Sequence, residues 1–499
     1  MGDSVRSFIE GREIGVKPLS VVIVGAGASG LCMAIKLQEA GIGDFTILEK
    51  GGSVGGTWRD NTYPGSGCDV PSMLYSYSFE PKLDWSRKFA PQPEIVEYFE
   101  SVARKYRLLP HIRFNTEISE ARFDEAAGLW RVRTVDGEEM SANVLISGVG
   151  QLNRPAFPKI PGLADFKGVQ FHSARWNHEV DLAGRVVGVI GNGASAIQFV
   201  PEIAPDVTKL TIFQRTPNWC VPKPDRPFTG AEKRRFRAFP WLAKLERYVT
   251  YLTLERNFLA FVQGSWFGKL FERAALKEIN THIEDPELRA KLIPDYPAGC
   301  KRILLTNDWY PALARDNVEV ETSHIAKVTD DAIVTEDGVS HRVDAIIFAT
   351  GFESTDFLAP MKIVGRENAA LNGVWAHGAE AHRGVAVAGF PNFFMLYGPN
   401  TNLGHNSIIF MIECQANYIA QCVGALRNGK LRYLDVRRDA MERFNRDLQR
   451  DMRKTVWAAG CSSWYKTPDG KVTNNWSGYT AKYWWEMRHP DFAEYALIG

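Results

Sequence analysis

The chain has 499 residues, about three domain equivalents at roughly 150 residues each, which excludes a small module that needs disulfides or a metal to fold. Its 59 Lys and Arg stand against 58 Asp and Glu, a balance that gives no reason to expect nucleic acid or an acidic polymer as the main partner. Hydrophobic residues at 45% and charged residues at 23% belong to an ordinary folded chain, neither disordered nor fibrous.

In chain order, the opening stretch MGDSVRSFIEGREIGVKPLS is polar and lacks an apolar signal core, and Arg6 fills the position where a myristoylation motif has Ser or Thr. Neither export nor lipid anchoring is expected. Ser20 to Val24 is a β-branched run, followed by Gly25-Ala26-Gly27-Ala28-Ser29-Gly30 and an apolar stretch to Ala40, which reads as strand, glycine turn and helix. Phe45 to Leu48 is the next strand and ends at Glu49, about 20 residues past the glycines, where a dinucleotide fold has a carboxylate for a ribose hydroxyl. Glycines in such a turn admit a pyrophosphate close to the backbone, and the helix amino terminus offers free N–H groups and a positive dipole end. With Glu49, this first site suits FAD.

A β-rich stretch follows, with Ala121 to Asp124 and Trp130 to Val135 as strands, and Val144 to Gly148 returns to the first sheet. The glycine pattern then recurs: Arg185 to Ile190 is a strand, Gly191-Asn192-Gly193-Ala194-Ser195-Ala196 the turn, and Leu210 to Gln214 the next strand. This strand runs into Gln214-Arg215-Thr216 with no acid. Without the carboxylate a 2′-phosphate is not repelled, and Arg215 can pair with it, so the second site favours NADPH over NADH; the alternative is an ordinary surface arginine. Ala345 to Ala349, before Thr350-Gly351, is a similar return strand.

Between the second motif and that return, Pro222, Pro224 and Pro227 open a helical segment carrying Trp241, Tyr248, Tyr251, Phe258, Phe261, Trp266, Phe267 and Phe271. Its aromatics read as a packed insertion, the wall of an apolar pocket, or a face that touches a membrane. No uninterrupted apolar stretch reaches about 18 residues, so no membrane span is expected. Cys32, Cys68, Cys220, Cys300, Cys414, Cys422 and Cys461 are odd in number and contain no CxxC pair, which predicts free thiols in a reducing cytoplasm and argues against zinc fingers and dithiol reductases. No metal-ligand cluster is evident. The expected fold is α/β: two nested Rossmann-like dinucleotide-binding domains with a helical insertion. Residues 1–152 and 341–499 form the FAD domain, 153–222 and 297–340 the NADPH domain, and 223–296 the insertion.

Three further stretches carry a resemblance. Gly56-Thr57-Trp58, Tyr63-Pro64-Gly65 and Asp69 lie within GGTWRDNTYPGSGCD; Phe166, Gly168, His172 and Trp176 lie within FKGVQFHSARWN; Asp295-Tyr296-Pro297 precedes Lys301-Arg302. With the two glycine motifs these resemble the type I Baeyer-Villiger monooxygenases, FAD- and NADPH-dependent enzymes of the class B flavoprotein monooxygenases, over nearly the whole chain from about Val21 to Trp485. Asn177 departs from the pattern, standing where Pro or Asp follows the tryptophan.

The resemblance implies insertion of oxygen beside a ketone carbonyl, giving an ester or lactone, through a C4a-peroxyflavin formed with O2. By it, Arg302 is the catalytic cation over the flavin and Asp69 orients it, a role arginine suits because it stays protonated at every working pH. It implies a flavin site of Gly25, Gly27, Ala28, Ser29, Gly30, Glu49, Thr57, Trp58, Arg59, Asp60, Asp69, Val70, Tyr75 and Ile118. For NADPH it implies Gly191, Gly193, Ala194, Ser195, Ala196, Gln214, Arg215, Thr216, Lys301 and Arg302. His172 and Trp176 are expected to couple domain movement to catalysis. Gly398-Pro399-Asn400 and Asn402 resemble the loop beside the isoalloxazine, and Asn474-Asn475-Trp476-Ser477 the mobile loop that closes over substrate. The alternative function is a flavin-containing monooxygenase oxidising nitrogen or sulfur, against which Asp69 and Arg302 argue. Substrate identity and oligomeric state stay open at this level.

Overall fold

The computed structural model describes residues 19–429, 431–458, 460–461 and 463–499. The amino-terminal stretch read for export and lipid signals lies outside the described residues, apart from its last two.

Strand Val21–Val24 is buried along its whole length, as a strand covered on both faces must be, and stands at the centre of a five-stranded parallel sheet. Its order is Phe393–Met395, Val144–Ser147, Val21–Val24, Phe45–Leu48, Ile112–Arg113. Helix Ala28–Glu39 leaves the glycine turn and packs against the long helix Ile408–Asn428. That second helix is long and apolar enough, by length and composition alone, to cross a membrane, but about two-thirds of its most apolar window is buried inside the fold, as in the core helix of a globular domain.

A second five-stranded parallel sheet repeats the plan in the order Val318–Glu321, Lys209–Phe213, Val186–Ile190, Ala345–Phe348, Val169–His172. All its strands lie, in sequence, between Val144–Ser147 and Phe393–Met395 of the first sheet. One expected boundary needs correction. Ala345–Phe348, assigned past residue 340 to the FAD domain, hydrogen-bonds on both sides within the second sheet, so that unit reaches at least Phe348. Each unit also carries a smaller sheet: in the first, antiparallel Ile118–Asp124, Leu129–Thr134 and Glu139–Ala142, with Lys362–Val364 added in parallel along Ile118–Asp124; in the second, the antiparallel ribbon Ile325–Val328, Ala332–Thr335 and Ser340–Arg342.

Residues 223–296 fold into helices with local start signals. Thr229 and Glu232 form a reciprocal capping box on Gly230–Ala238, Pro240 opens Pro240–Arg256, Ser265 caps Trp266–His282, and Asp285 caps Pro286–Leu292. Each device satisfies or removes amide donors that a helix start leaves free.

The cysteine expectation fails at one pair. Cys300 and Cys461 form a disulfide across 161 residues of sequence, with Cα atoms 6.3 Å apart, a proximity made by the tertiary fold that no local spacing encodes. The other five cysteines are free and buried. The cross-link ties the Lys301-Arg302 loop to the segment bearing Trp464 and Tyr465.

Candidate functional site

The two glycine turns, though 166 residues apart between Gly25 and Gly191, have matching geometry. Gly25 has φ +97° and Gly191 φ +104°; a Cβ on the first would sit 2.9 Å from the Gly148 carbonyl and on the second 2.5 Å from the Ala349 carbonyl. Glycine is required at both because the backbone is left-handed and the neighbouring strand end passes too close for a side chain. A Cβ on Gly30 would collide with the Gly25 carbonyl, so that residue serves the packing of helix on turn. Helices Ala28–Glu39 and Ala196–Ile203 begin at Gly27 and Ser195 without a side-chain cap, which leaves their first amides available to an anion.

Both turns open into one cavity of about 580 Å³. From the first unit Gly25, Gly27, Ala28, Ser29, Glu49, Thr57, Trp58, Arg59, Asp60, Asp69, Val70, Tyr75 and Ile118 line it; from the second come Gly193, Ala194 and Ser195, with Lys301 and Arg302. Of the expected residues, Gly30, Gly191, Ala196, Gln214, Arg215 and Thr216 stand outside this lining. Gln214 is buried; it accepts from Asn192 Nδ2 at 2.8 Å and donates to the Lys291 carbonyl at 2.8 Å, contacts that hold the strand end. Arg215 and Thr216 are exposed beyond it.

Glu49 is held by the amides of Ala26 and Gly51, both at 2.7 Å, and by Arg59 Nη1 at 2.8 Å. Arg59 also donates to Asp60 at 2.7 Å. Trp58 Nε1 donates to the Tyr75 hydroxyl at 3.0 Å, fixing both rings at the cavity wall. Tyr63 donates to Gln198 Oε1 at 3.0 Å, and Gln198 Nε2 donates to the Gly67 carbonyl at 3.0 Å. Gly65 has φ +73° and lies where a Cβ would meet the Gln198 carbonyl at 2.6 Å. The Tyr-Pro-Gly stretch is thus a joint between the first unit and the helix Ala196–Ile203.

Arg302 lies just before Leu304–Leu305, which pairs in parallel with Cys220–Val221; this short ladder carries the arginine from the second unit to the first. Its Nε donates to Asp69 Oδ2 at 2.9 Å, and Nη2 donates to the same oxygen. The Asp69 charge raises the guanidinium's proton affinity against the opposing effect of burial, so the group is a permanent cation. Lys301 donates to Thr216 Oγ1 and lies 4.8 Å over the Tyr296 ring. Burial, then repulsion from Arg215, lowers its pKa. Two cations that repel each other, with no carboxylate ion-paired to either among the described residues, form an anion site.

Cys68 also lines the cavity; burial, reinforced by the Asp69 charge, pushes its thiol up, so it stays protonated. His172 and Trp176 stand outside the lining. Burial lowers the His172 imidazole to about 4, and its Nδ1 accepts from the Ala174 amide at 3.0 Å, a neutral residue that closes a turn. Trp176 packs edge-on against Phe171.

Asn474, Asn475 and Trp476, expected in a mobile loop, are buried. Asn474 Nδ2 donates to the Ser354 carbonyl at 3.1 Å, and Asn402 Nδ2 donates to Asn475 Oδ1 at 2.6 Å, so the stretch is an interior polar seam behind the cavity. Sequence reasoning missed several participants. Tyr397 lines the cavity and donates to Asn402 Oδ1 at 2.7 Å. Gln151 donates to the Tyr397 and Gly398 carbonyls. Trp464 is on the wall, and Tyr465, whose hydroxyl has no partner among the described residues and is pushed up to about 12 by burial, lies within electrostatic reach of Arg302. Only the proline- and glycine-flanked setting of Tyr397 offered a signal.

Comparison with known proteins agrees with this arrangement. The family model for flavin-binding monooxygenase-like proteins matches residues 19–368. A Baeyer-Villiger monooxygenase of Pseudomonas aeruginosa is 46% identical, over 96% of this chain and 91% of its own. One from Streptomyces coelicolor is also 46% identical, over 96% and 92%. Among solved structures, OTEMO in complex with FAD and NADP superposes with a TM-score of 0.87 at 29% identity, covering 96% of this chain and 99% of that one. Sequence, fold and the paired nucleotide turns agree, and the chain belongs to the flavin-binding monooxygenase-like family, among its Baeyer-Villiger monooxygenases.

Proposed function

We propose that this protein inserts one oxygen atom beside a ketone carbonyl: ketone, O2, NADPH and a proton give ester or lactone, NADP+ and water. The observation that carries the reading is the single cavity on which both glycine turns and the Arg302–Asp69 pair converge.

The residues present fit both cofactors. The uncapped amino terminus of Ala28–Glu39, over a floor where a Cβ on Gly27 would meet Gly56 Cα at 3.5 Å, suits the FAD pyrophosphate, with Glu49 at the ribose and Trp58 and Tyr75 along the wall. Ser195 and the amides after it suit the pyrophosphate of NADPH, and Arg215 with Lys301 its 2′-phosphate. FAD, when bound and reduced by NADPH, supplies the activation of O2.

The chain's own residues supply placement and charge. Arg302, aimed by Asp69, stabilises negative charge as it develops on the substrate's carbonyl oxygen, inside a cavity where field strength is little screened. Because Asp69 keeps it protonated in spite of burial, it cannot quench the reactive oxygen by giving up a proton. Tyr63, Gln198 and Gly65 hold the two nucleotide units in register so that the cofactor rings can meet. The reaction is assigned to the cytoplasm, where NADPH is supplied.

The test is NADPH oxidation by the purified flavoprotein with and without a panel of ketones, scored for ester by mass spectrometry. Ketone-dependent ester formation supports the reading. Oxidation of amines or sulfides with no ester from any ketone would overturn it.

A further inference from the structure

We propose that the outward face of helix Pro240–Arg256, continued by Trp484 and Trp485, is a docking surface for an anionic lipid bilayer. Trp241, Leu245, Tyr248 and Leu252 recur at spacings of four, three and four residues, which puts them on one stripe of the helix, and all are exposed, Trp241 by 61% and Tyr248 by 57%. Val249 and Phe239 extend the stripe. Soluble surfaces rarely gather large side chains so closely without using them.

The stripe has no freedom to turn inward, because the helix is fastened by Arg247 on its far side and by Glu255 at its carboxyl-terminal end. Arg247 Nη1 donates to the carbonyls of Met73 at 2.8 Å and Ser76 at 2.9 Å. Glu255 accepts from the Ala481 amide at 3.0 Å, Thr480 Oγ1 at 2.7 Å and Asn406 Nδ2 at 2.8 Å. The helix is thus held with the stripe toward solvent. Thr480 also meets the Tyr251 hydroxyl at 3.0 Å, which seats the helix Thr480–Glu486 beside the carboxyl-terminal end of this one. It adds Trp485, 67% exposed, and Trp484, each with the Arg488 guanidinium 5.1 Å above its ring.

Charge selects the occupant. The exposed cations Lys244 and Arg256 of this helix, and Arg234 and Arg235 of the helix before it, make no ion pair among the described residues, while Arg237 is taken by Asp84 at 2.7 Å. Of the helix's two acids, Glu255 is buried and Glu246 is half-buried. A two-fold pairing of this face with a second copy would set these four cations against their own copies with one half-buried acid, Glu246, to answer them. Anionic headgroups supply the missing countercharge, and a mixture of indole, phenol and guanidinium around an aliphatic stripe matches the headgroup boundary of a bilayer. The cytoplasmic leaflet of cell membranes carries that negative potential. Asn406, bonded to Glu255, lines the cavity, so a docked helix holds the cavity near the lipid surface.

The experiment is flotation of the flavin-loaded enzyme with phosphatidylcholine vesicles, with and without phosphatidylglycerol, at low and high salt. Expected is co-flotation with the phosphatidylglycerol vesicles, weakened by salt, and reduced by at least about tenfold in both Trp241→Ser/Leu245→Ser and Lys244→Glu/Arg235→Glu. Both pairs lie on the surface, so melting temperature and turnover of a water-soluble ketone should match the unsubstituted enzyme. Absence of co-flotation in the unsubstituted enzyme overturns the proposal, as does binding that neither pair of substitutions weakens. Light scattering that finds a dimer dissociated by Trp241→Ser/Leu245→Ser, with no lipid binding, assigns the face to a second copy instead.

Discussion

Replacing Arg302 with alanine removes the cation and also strips Asp69 of its partner. In the intact site the guanidinium gives two hydrogen bonds to a single carboxylate oxygen, Nε at 2.9 Å, which leaves its remaining N–H groups to face the cavity. A unit charge about 4 Å from a developing oxyanion, at an effective dielectric near 20, is worth about 4 kcal/mol, and single donors of this kind contribute about 10²–10³ in rate. The unpaired Asp69 carboxylate then repels the same developing charge, so ester formation by Arg302→Ala should fall by about 10³ or more. Arg302→Lys keeps charge but not the planar fork, and should recover only part. Asp69→Ala leaves the cation and loses its aim, a milder loss of about tenfold to a hundredfold. The Gly25–Gly30 turn and Glu49 are untouched in each variant, so flavin content by absorbance should stay normal. Product analysis by mass spectrometry on flavin-loaded protein is the assay. Ester formed by Arg302→Ala at near the unsubstituted rate would refute the electrostatic role and shift weight to nitrogen or sulfur oxidation.

Arg215→Ala should lower the preference for NADPH over NADH by about tenfold or more, mainly through KM, since charge-assisted contacts to phosphate contribute about 1.5–3 kcal/mol each; equal use of both cofactors by the unsubstituted enzyme would contradict the anion site. His172, lowered from 6.5 to about 4 by burial, has its folded pKa below its unfolded one. Its contribution to stability is complete above 6.5, is lost as pH falls toward 4, and amounts to about 3 kcal/mol at most; the melting temperature of His172→Gln should fall less steeply over that window, and parallel curves would remove this group from the account. Cys300→Ser opens a cross-link spanning 161 residues, for which the chain-entropy model gives about 5 kcal/mol; urea midpoints unchanged between this variant and oxidised unsubstituted protein would show that the bond does not constrain the chain in solution.

Local chemistry was legible from the sequence because the glycine turns are local devices. A left-handed glycine between a β-branched strand and an apolar helix has few alternatives, and both copies, Gly25 and Gly191, have the backbone that the spacing requires. Arg302 and Asp69 were legible only through family resemblance, since 233 residues separate them and nothing in either neighbourhood names the other. Tertiary structure decided the rest. The parallel pairing of Leu304–Leu305 with Cys220–Val221 carries Arg302 to Asp69, the return of strand Ala345–Phe348 into the second sheet sets the boundary between units, and long-range closure brings Cys300 to Cys461. It also decided which side of an aromatic helix faces water. Composition shows that Pro240–Arg256 is rich in large apolar residues, but only Arg247 and Glu255, fastened to distant backbone and side chains, determine that Trp241 and Tyr248 point outward, because periodicity alone is the same for a buried face and an exposed one.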